Sequence, residues 1–231
     1  MKHALRTTIV SGGTGALGRA VVECFLAAGD RVVVSWQARE QRDALAHTHA
    51  DALNAGRLLL IEADIADESG AARTAEVAGP AQVLINGAGG FEGGQPLQQS
   101  ELASWDRMFR TNLRTAVALT RAVLPNMLKQ QSGVILNVAA QAAWTTPAGL
   151  SAYSASKSAL IALTHTLQKE VETHGIRVNA VAPGTIDTVA NRRAMPKANP
   201  SRWTPPTAIA HTLFWLASDD ASAVRGAVIP V

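Results

Sequence analysis

At 231 residues with 47% hydrophobic content, the chain can bury one substantial core, which points to a single α/β domain over residues 1–231. A formal net charge of +3, with only short basic groups such as Arg192-Arg193, argues against a nucleic-acid partner. A single cysteine, Cys24, excludes an internal disulfide and suits a reducing compartment. No apolar run is long enough to span a bilayer, and the first residues lead directly into Thr7-Thr-Ile-Val without a signal pattern. The expectation is a cytoplasmic protein with no membrane partner.

Short β-like runs alternate with helical ones along the whole chain. Thr8-Ile-Val leads into Ser11-Gly-Gly-Thr-Gly-Ala-Leu-Gly18, then a helix-like run from Arg19 to Ala28 that Gly29 closes. Arg31-Val-Val-Val-Ser35 reads as the second strand, and a polar helix follows around Gln41 to Ala55. Arg57-Leu-Leu-Leu-Ile61 is the third strand-like run and ends at Glu62-Ala-Asp64-Ile65. Gln82-Val-Leu-Ile-Asn86 is the fourth and ends at Gly87-Ala-Gly-Gly90. Ser100 is placed to cap a helix whose apolar residues Trp105, Met108, Phe109, Leu113 and Val117 recur at helical spacing.

Val134-Ile-Leu-Asn-Val138 is the fifth strand. After an Ala/Thr/Pro/Gly-rich loop comes a helix with Leu160, Leu163, Leu167 and Val171 on one face, stopping at Gly175. Arg177-Val-Asn-Ala-Val181 is the sixth strand; the irregular stretch Pro183 to Pro206 and an apolar helix from Ile209 to Leu216 follow. Gly226-Ala-Val-Ile-Pro-Val231 supplies a seventh strand. Near-continuous Val/Ile/Leu strands alternating with helices predict a doubly wound parallel sheet of about seven strands, covered by helices on both faces. Ligands of such a sheet bind outside the carboxyl ends of the strands, where nearly all the unusual residues fall. A loop as long as Pro183 to Pro206 in a compact domain is more often functional than idle.

Two stretches carry chemistry. Glycines in Ser11-Gly12-x-x-x-Ala16-x-Gly18 let backbone approach a pyrophosphate, and the helix that follows offers N–H donors and a positive dipole end. An ordinary glycine-rich turn is the plainer alternative. Tyr153 and Lys157 stand four residues apart, on one face of a helix. A phenol titrates near ~10, and a neighbouring ammonium favours phenolate and draws it towards the working range. The pair is a candidate acid/base centre, against the plainer reading of an exposed helix pair. His165, His174 and His211 lie on helices without metal-ligand company, so no metal site is expected.

Along nearly its whole length the chain resembles the short-chain dehydrogenase/reductase family. The likeness rests on the turn at 11–18, Asp64-Ile65, Asn86-Gly-Ala-Gly89, Asn112, Tyr153-x-x-x-Lys157 and Pro183-Gly-Thr-Ile-Asp-Thr188, in that order. The resemblance implies a Rossmann-type fold and an NAD(P)-dependent oxidoreductase. It implies that Ser11, Gly12, Thr14, Leu17 and Gly18 cradle pyrophosphate and ribose, and that Asp64 and Ile65 meet adenine. Asn86, Ala88 and Gly89 would line the cofactor cleft, and Pro183, Gly184, Ile186 and Thr188 would hold the nicotinamide carboxamide. Tyr153 would donate the proton, Lys157 would bind the nicotinamide ribose and lower the phenol's pKa, and Asn112 would hold a relay water. A capping or core-bonding amide is the alternative for Asn112.

Two departures bear on the substrate. Ala16 replaces the family's second glycine, and Ala140 stands thirteen residues before Tyr153, where the family carries a catalytic Ser. Losing such a donor costs a carbonyl reductase ~2–4 kcal/mol of transition-state stabilisation. Gln141 is adjacent. The quinonoid dihydropteridine reductases keep Tyr and Lys without the Ser. The chain is similar to them in Gly12–Gly18, Ala88–Gly94, Asp187-Thr-x-x-Asn191-Arg192-x-x-Met195-Pro196 and Trp203-Thr-Pro205, though not in Asn112.

At the end of the second strand Gln37 replaces the acid usual in NAD-specific members, with Arg39 just beyond, which favours NADP(H) over NAD(H). Glu40 beside Arg39 tempers that inference. Trp144 and Trp203 offer flat faces to a planar substrate, with packing as the alternative.

The expectation is a reductase of a small planar C=N or C=O acceptor, quinonoid dihydropterin-like, with Ala140, Gln141, Trp144 and Trp203 at the substrate. The alternatives are a conventional ketone or 3-oxoacyl reductase lacking the usual Ser, and a dinucleotide-binding sensor or assembly subunit. The resemblance also implies a homodimer or homotetramer.

Overall fold

A computed structural model describes residues 5–231. Seven parallel strands form its sheet: β1 (Thr7–Ser11), β2 (Arg31–Trp36), β3 (Leu58–Glu62), β4 (Val83–Asn86), β5 (Gly133–Val138), β6 (Ile176–Ala182) and β7 (Val228–Pro230). Their spatial order is β3-β2-β1-β4-β5-β6-β7. Every pairing is parallel, with Ile9 opposite Val33 on one side and Leu84 on the other. The direction of winding reverses between β1 and β4, so a crevice opens where those two strands end.

Alternation along the strands sorts side chains into two layers. Val10, Val32, Val34, Val83 and Ile85 pack with α1 (Ala16–Ala27), with Leu45 of α2 (Arg39–Thr48) and with Ala52 of α3 (Ala50–Asn54). Ile9, Val33, Leu84, Ile135 and Val178 face the other way, onto α4 (Glu68–Ala78). After α5 (Leu102–Phe109), the same layer receives α6 (Thr115–Gln130). The short α7 (Ala142–Thr145) then leads to α8 (Ser151–Val171), whose Leu167 and Val171 complete it. After α9 (Val189–Ala194), α10 (Pro206–Leu216) returns to the first layer through Ile209, Leu213 and Leu216. This is the doubly wound sheet the sequence predicts.

Three local readings change. The polar helix expected around 41–55 is two helices, broken at His49. Ser100 does not cap α5: its hydroxyl donates to Leu97 O and accepts from Trp105 Nε1, while Glu101 holds the N-cap position. The helix expected from Trp105 to Val117 is interrupted by a π-turn, Arg110–Arg114, centred on Asn112.

A string of buried polar side chains crosses the second layer. Asn86 Nδ2 donates to Thr120 Oγ1 of α6 (3.1 Å) and Asn137 Oδ1 of β5 (2.9 Å). Asn137 Nδ2 in turn donates to Thr164 Oγ1 of α8 (2.8 Å). Buried amides and hydroxyls are mostly bonded, and each of these bonds fixes its partner's place, while Asn86 Oδ1 has no partner among the described residues.

Candidate active site

The cleft outside β1, β4, β5 and β6 has a volume of about 1280 Å³. That exceeds the usual range for one small ligand, ~300–1,000 Å³, and leaves room for a dinucleotide and a second molecule.

At one end the walls are backbone. Gly12 has a φ of +70°, and a Cβ there would stand 2.7 Å from Gly87 O. A Cβ on Gly18 would stand 2.0 Å from Gly12 O, so the first turn of α1 packs on the loop too closely for any side chain. The Ser11 hydroxyl, buried below, accepts from Gly87 N and Ala88 N, both at 3.1 Å, and ties this loop to the one after β4. Gly15 is the N-cap of α1 and no side chain caps its N–H groups. A glycine cradle opening on free helix N–H donors fits the diphosphate of a dinucleotide. Ala16 and Leu17 also line it.

Beyond β2 the wall is Ser35, Trp36, Gln37 and Ala38, joined by Gln41 from α2. Gln41 Oε1 accepts from the Thr14 hydroxyl (3.2 Å), and Arg19 donates to Thr14 O (3.0 Å) and Gln41 O (3.3 Å). Arg42 lies over the Trp36 ring, 4.8 Å from its centroid. Arg39, the exposed first residue of α2, is not in the cleft wall, and the cations that contact this corner are Arg19 and Arg42.

Asp64 and Ile65 line the cleft after β3. Burial alone would raise the Asp64 carboxyl, but the Ala66 N–H, Arg110 and Gln37 hold it below the usual carboxylate range. Arg110, from the π-turn, spans to Asp64 (2.9 Å) and Asp67 (3.1 Å).

The catalytic end gathers Ala88, Gly89, Ala140, Gln141, Tyr153, Lys157, Pro183, Gly184 and Ile186. Lys157 is fully buried, and its Nζ donates to Val138 O (2.8 Å). An ammonium has three donors, so two remain for the cleft. Burial lowers Lys157 to about 8. A Cβ on Gly89 would crowd that amine at 3.3 Å and Asn112 Oδ1 at 3.0 Å. Tyr153 sits edge-on to Phe91, centroids 5.0 Å apart. Burial pushes the Tyr153 phenol up, contrary to the expectation that Lys157 pulls it down. Burial is the whole cause of that rise, and the Lys157 amine does not offset it.

Five further residues sit off the cleft wall or spend their side chains within the protein. Asn86 lies under the cleft floor rather than in its wall, its amide spent on Thr120 and Asn137. The Asn112 side chain is also outside the wall: Oδ1 accepts from Gly90 N (2.8 Å) and Nδ2 donates to Ser156 Oγ (3.0 Å). Thr188 caps α9 by accepting from Asn191 N (3.1 Å). Trp144, 46% exposed, and Trp203 lie off the cleft, because the short α7 turns Trp144 outward and the 3-10 turn Pro200–Arg202 carries Trp203 past it.

Beside Tyr153, the aromatic that lines this end of the cleft is Phe91, 64% exposed. Pro147, Leu150, Asn191 and Met195 join it. The loop bearing Phe91 is anchored by Glu92, whose carboxylate accepts from Arg107 (2.8 and 2.9 Å) and Ser104 and is lowered to about 2 by them. An apolar residue between glycines in Gly90-Phe-Glu-Gly was the available signal.

A glycine cradle and a Tyr/Lys pair on one cleft of a parallel sheet define a dinucleotide-dependent oxidoreductase. Residues 6–199 match the short chain dehydrogenase family, and the chain belongs to that family of NAD(P)-dependent oxidoreductases. A 2-(R)-hydroxypropyl-CoM dehydrogenase of Xanthobacter autotrophicus is 34% identical, the match covering 97% of this chain and 96% of the relative. A 3-oxoacyl-acyl-carrier-protein reductase of Thermotoga maritima is 29% identical over 98% of this chain and 96% of its own. Among solved structures, a short-chain type dehydrogenase/reductase from Mycobacterium ulcerans matches with a TM-score of 0.92 at 25% identity, covering 98% of this chain and 88% of that one. Among the described residues no helix is long and apolar enough to cross a membrane.

Proposed function

We propose that the protein interconverts a ketone and its secondary alcohol, with Tyr153 as the proton donor in reduction. The observation that carries this is the position of Tyr153 and the buried Lys157 in one cleft with apolar Phe91, Leu150 and Met195. The names of the two relatives above, a hydroxyalkyl dehydrogenase and a 3-oxoacyl reductase, fit an oxo/hydroxy pair. A bound nicotinamide supplies the hydride that adds to the carbonyl carbon.

Tyr153 gives its phenolic proton to the oxygen, yielding the alcohol, and is reprotonated from solvent. A phenol held above its usual pKa keeps that proton until the oxygen acquires charge. Lys157, charged below about pH 8, stabilises the phenolate left behind, and its free donors suit the ribose hydroxyls. The glycine turn at 12–18 and the N-terminus of α1 hold the diphosphate, with Asp64 and Ile65 at the base.

We further propose a preference for NADP(H). The wall after β2, Ser35 to Ala38 with Gln41, carries no carboxylate to repel a ribose phosphate, and Arg19 and Arg42 stand at its edge. Dissociation constants for NADPH and NADH by fluorescence titration test this, and tighter NADH binding refutes it.

Ala140 favours a second reading. A wall without a hydroxyl at that point suits a C=N acceptor of quinonoid dihydropterin type, which has less need of an oxyanion partner. An NADPH and NADH oxidation screen against ketones, 3-oxoesters, imines, quinones and pterins separates the two. Turnover confined to pterins overturns the ketone assignment, and turnover confined to ketones overturns the pterin one.

A further inference from the structure

We propose that the side-chain amide of Gln141 donates the hydrogen bond to the substrate oxygen that Ala140 cannot; this rests on the ketone reading above. Gln141 follows β5 and lines the cleft beside Ala140, at the end that holds Tyr153 and Lys157. Its backbone is fixed on both sides. The N–H donates to Pro183 O at 2.9 Å, and the carbonyl accepts from Trp144 N, Thr145 N and Thr145 Oγ1 at 3.0–3.1 Å.

The side chain, held by so rigid a backbone, lies against Gly184. A methyl group on Gly184 would touch all three amide atoms at 3.5–3.6 Å. A side chain at 184 would compete with the amide for that space.

Two neighbouring polar side chains in the same wall are committed elsewhere, whereas the exposed Thr185 hydroxyl is not. The Thr145 hydroxyl donates to Gln141 O (3.1 Å) and Asn191 Nδ2 to Ile186 O (2.8 Å). Asn112, buried behind Gly89, has given its amide to Ser156. Among the described residues the Gln141 amide makes no hydrogen bond, so its two N–H donors are free for a ligand. A half-buried amide without a protein partner, on the floor between the Tyr153 helix and the Gly184 loop, is placed to meet an oxygen that develops negative charge. A donor aimed at such an oxygen is worth about 10²–10³-fold in kcat. No atom or electron is exchanged with Gln141: hydride and proton travel as described above, and the amide only stabilises the oxygen between those events.

The test uses purified full-length protein, NADPH and ethyl acetoacetate, together with whichever ketone from the screen turns over best. Gln141→Ala lowers kcat by about 10²-fold, with the NADPH dissociation constant within about twofold of wild type. Gln141→Glu, of the same size but without the donor, falls at least as far. Adding Ala140→Ser to Gln141→Ala restores a donor nearby and recovers about tenfold of the loss, which a merely structural role for Gln141 would not allow. Thermal unfolding checks each variant, and Gln141→Glu carries the test if Gln141→Ala does not fold.

Wild-type ketone turnover that survives Gln141→Ala within twofold overturns this inference alone. A weakened NADPH affinity that accounts for the whole loss does so too, by moving the amide's contact to the cofactor. A wild type inert towards every carbonyl compound defeats the ketone reading, and this inference with it.

Discussion

The dinucleotide end of the cleft is made of backbone, and the substrate end is made of side chains on loops. At the first, Gly12 and Gly18 meet carbonyl oxygens so closely that no other residue fits, and the buried Ser11 hydroxyl ties two turns together. At the second, Phe91, Pro147, Leu150 and Met195 come from three separate segments; Glu92 anchors the first to α5, and Gly94 N donates to Gly149 O of the second. A backbone cradle tolerates almost no substitution and binds what every relative of the fold binds. A wall of loop side chains is replaced without touching the sheet, so selectivity is located there.

Five substitutions and one titration sharpen this contrast. Tyr153→Phe stands at the junction of the two ends and should lower kcat for ketone reduction by about 10³-fold. NADPH affinity by fluorescence titration should stay unchanged, and undiminished turnover would place the proton elsewhere. Gly18→Ala attacks the backbone end, where the added methyl meets Gly12 O, and should cost about 3 kcal/mol in urea unfolding. Nucleotide affinity should fall with it, and a stable variant that still binds NADPH would show that the cradle yields.

The pH profile probes the amine shared by both ends. Lys157 is charged below about 8 and loses its proton as pH rises through that value, so kcat for reduction should fall on the alkaline side. Lys157→Arg should move that limb upward, and a limb that stays in place would assign it to another group. Phe91→Ala probes the substrate end. It should raise KM for aromatic ketones by about 3–10-fold, corresponding to ~0.5–1.5 kcal/mol of ring contact, and leave the nicotinamide constants alone. Trp144→Ala, off the cleft, should change kcat/KM and the unfolding midpoint least, within ~0.5 kcal/mol. A larger effect on KM would bring that indole back to the substrate.

The difference between the two ends also explains what the sequence disclosed. Strand and helix alternation, the glycine turn and the Tyr/Lys spacing are local patterns, and all of them reappear at the predicted strand ends. Asn86, Asn112 and Thr188 were legible as polar residues near the site, but whether an amide faces a cleft or a neighbour depends on partners distant in sequence. Asn86 is bonded to residue 137 and Asn112 to residue 156. The tryptophans misled because size and position before Tyr153 say nothing about which way a one-turn helix faces. Helix α4, Glu-Ser-Gly-Ala-Ala-Arg-Thr-Ala-Glu-Val-Ala, escaped notice because its inner face is almost all alanine. The break at His49 and the π-turn at Asn112 leave no mark on apolar periodicity.

The buried string Thr120–Asn86–Asn137–Thr164 bears on where Tyr153 comes to rest. Apolar faces of helix and sheet are forgiving: leucine and valine ridges fit together nearly as well when a helix slides by one turn, about 5.4 Å. Such a slip would carry the phenol and the amine away from the ends of β4 and β5. A slip one way would set apolar Leu160 against Asn137 in place of Thr164, and a slip the other way would pull the Gln168 amide off Val178 N. The string therefore acts as an alignment key. It adds little to the strength of packing, but it makes one seating of the catalytic helix better than its neighbours.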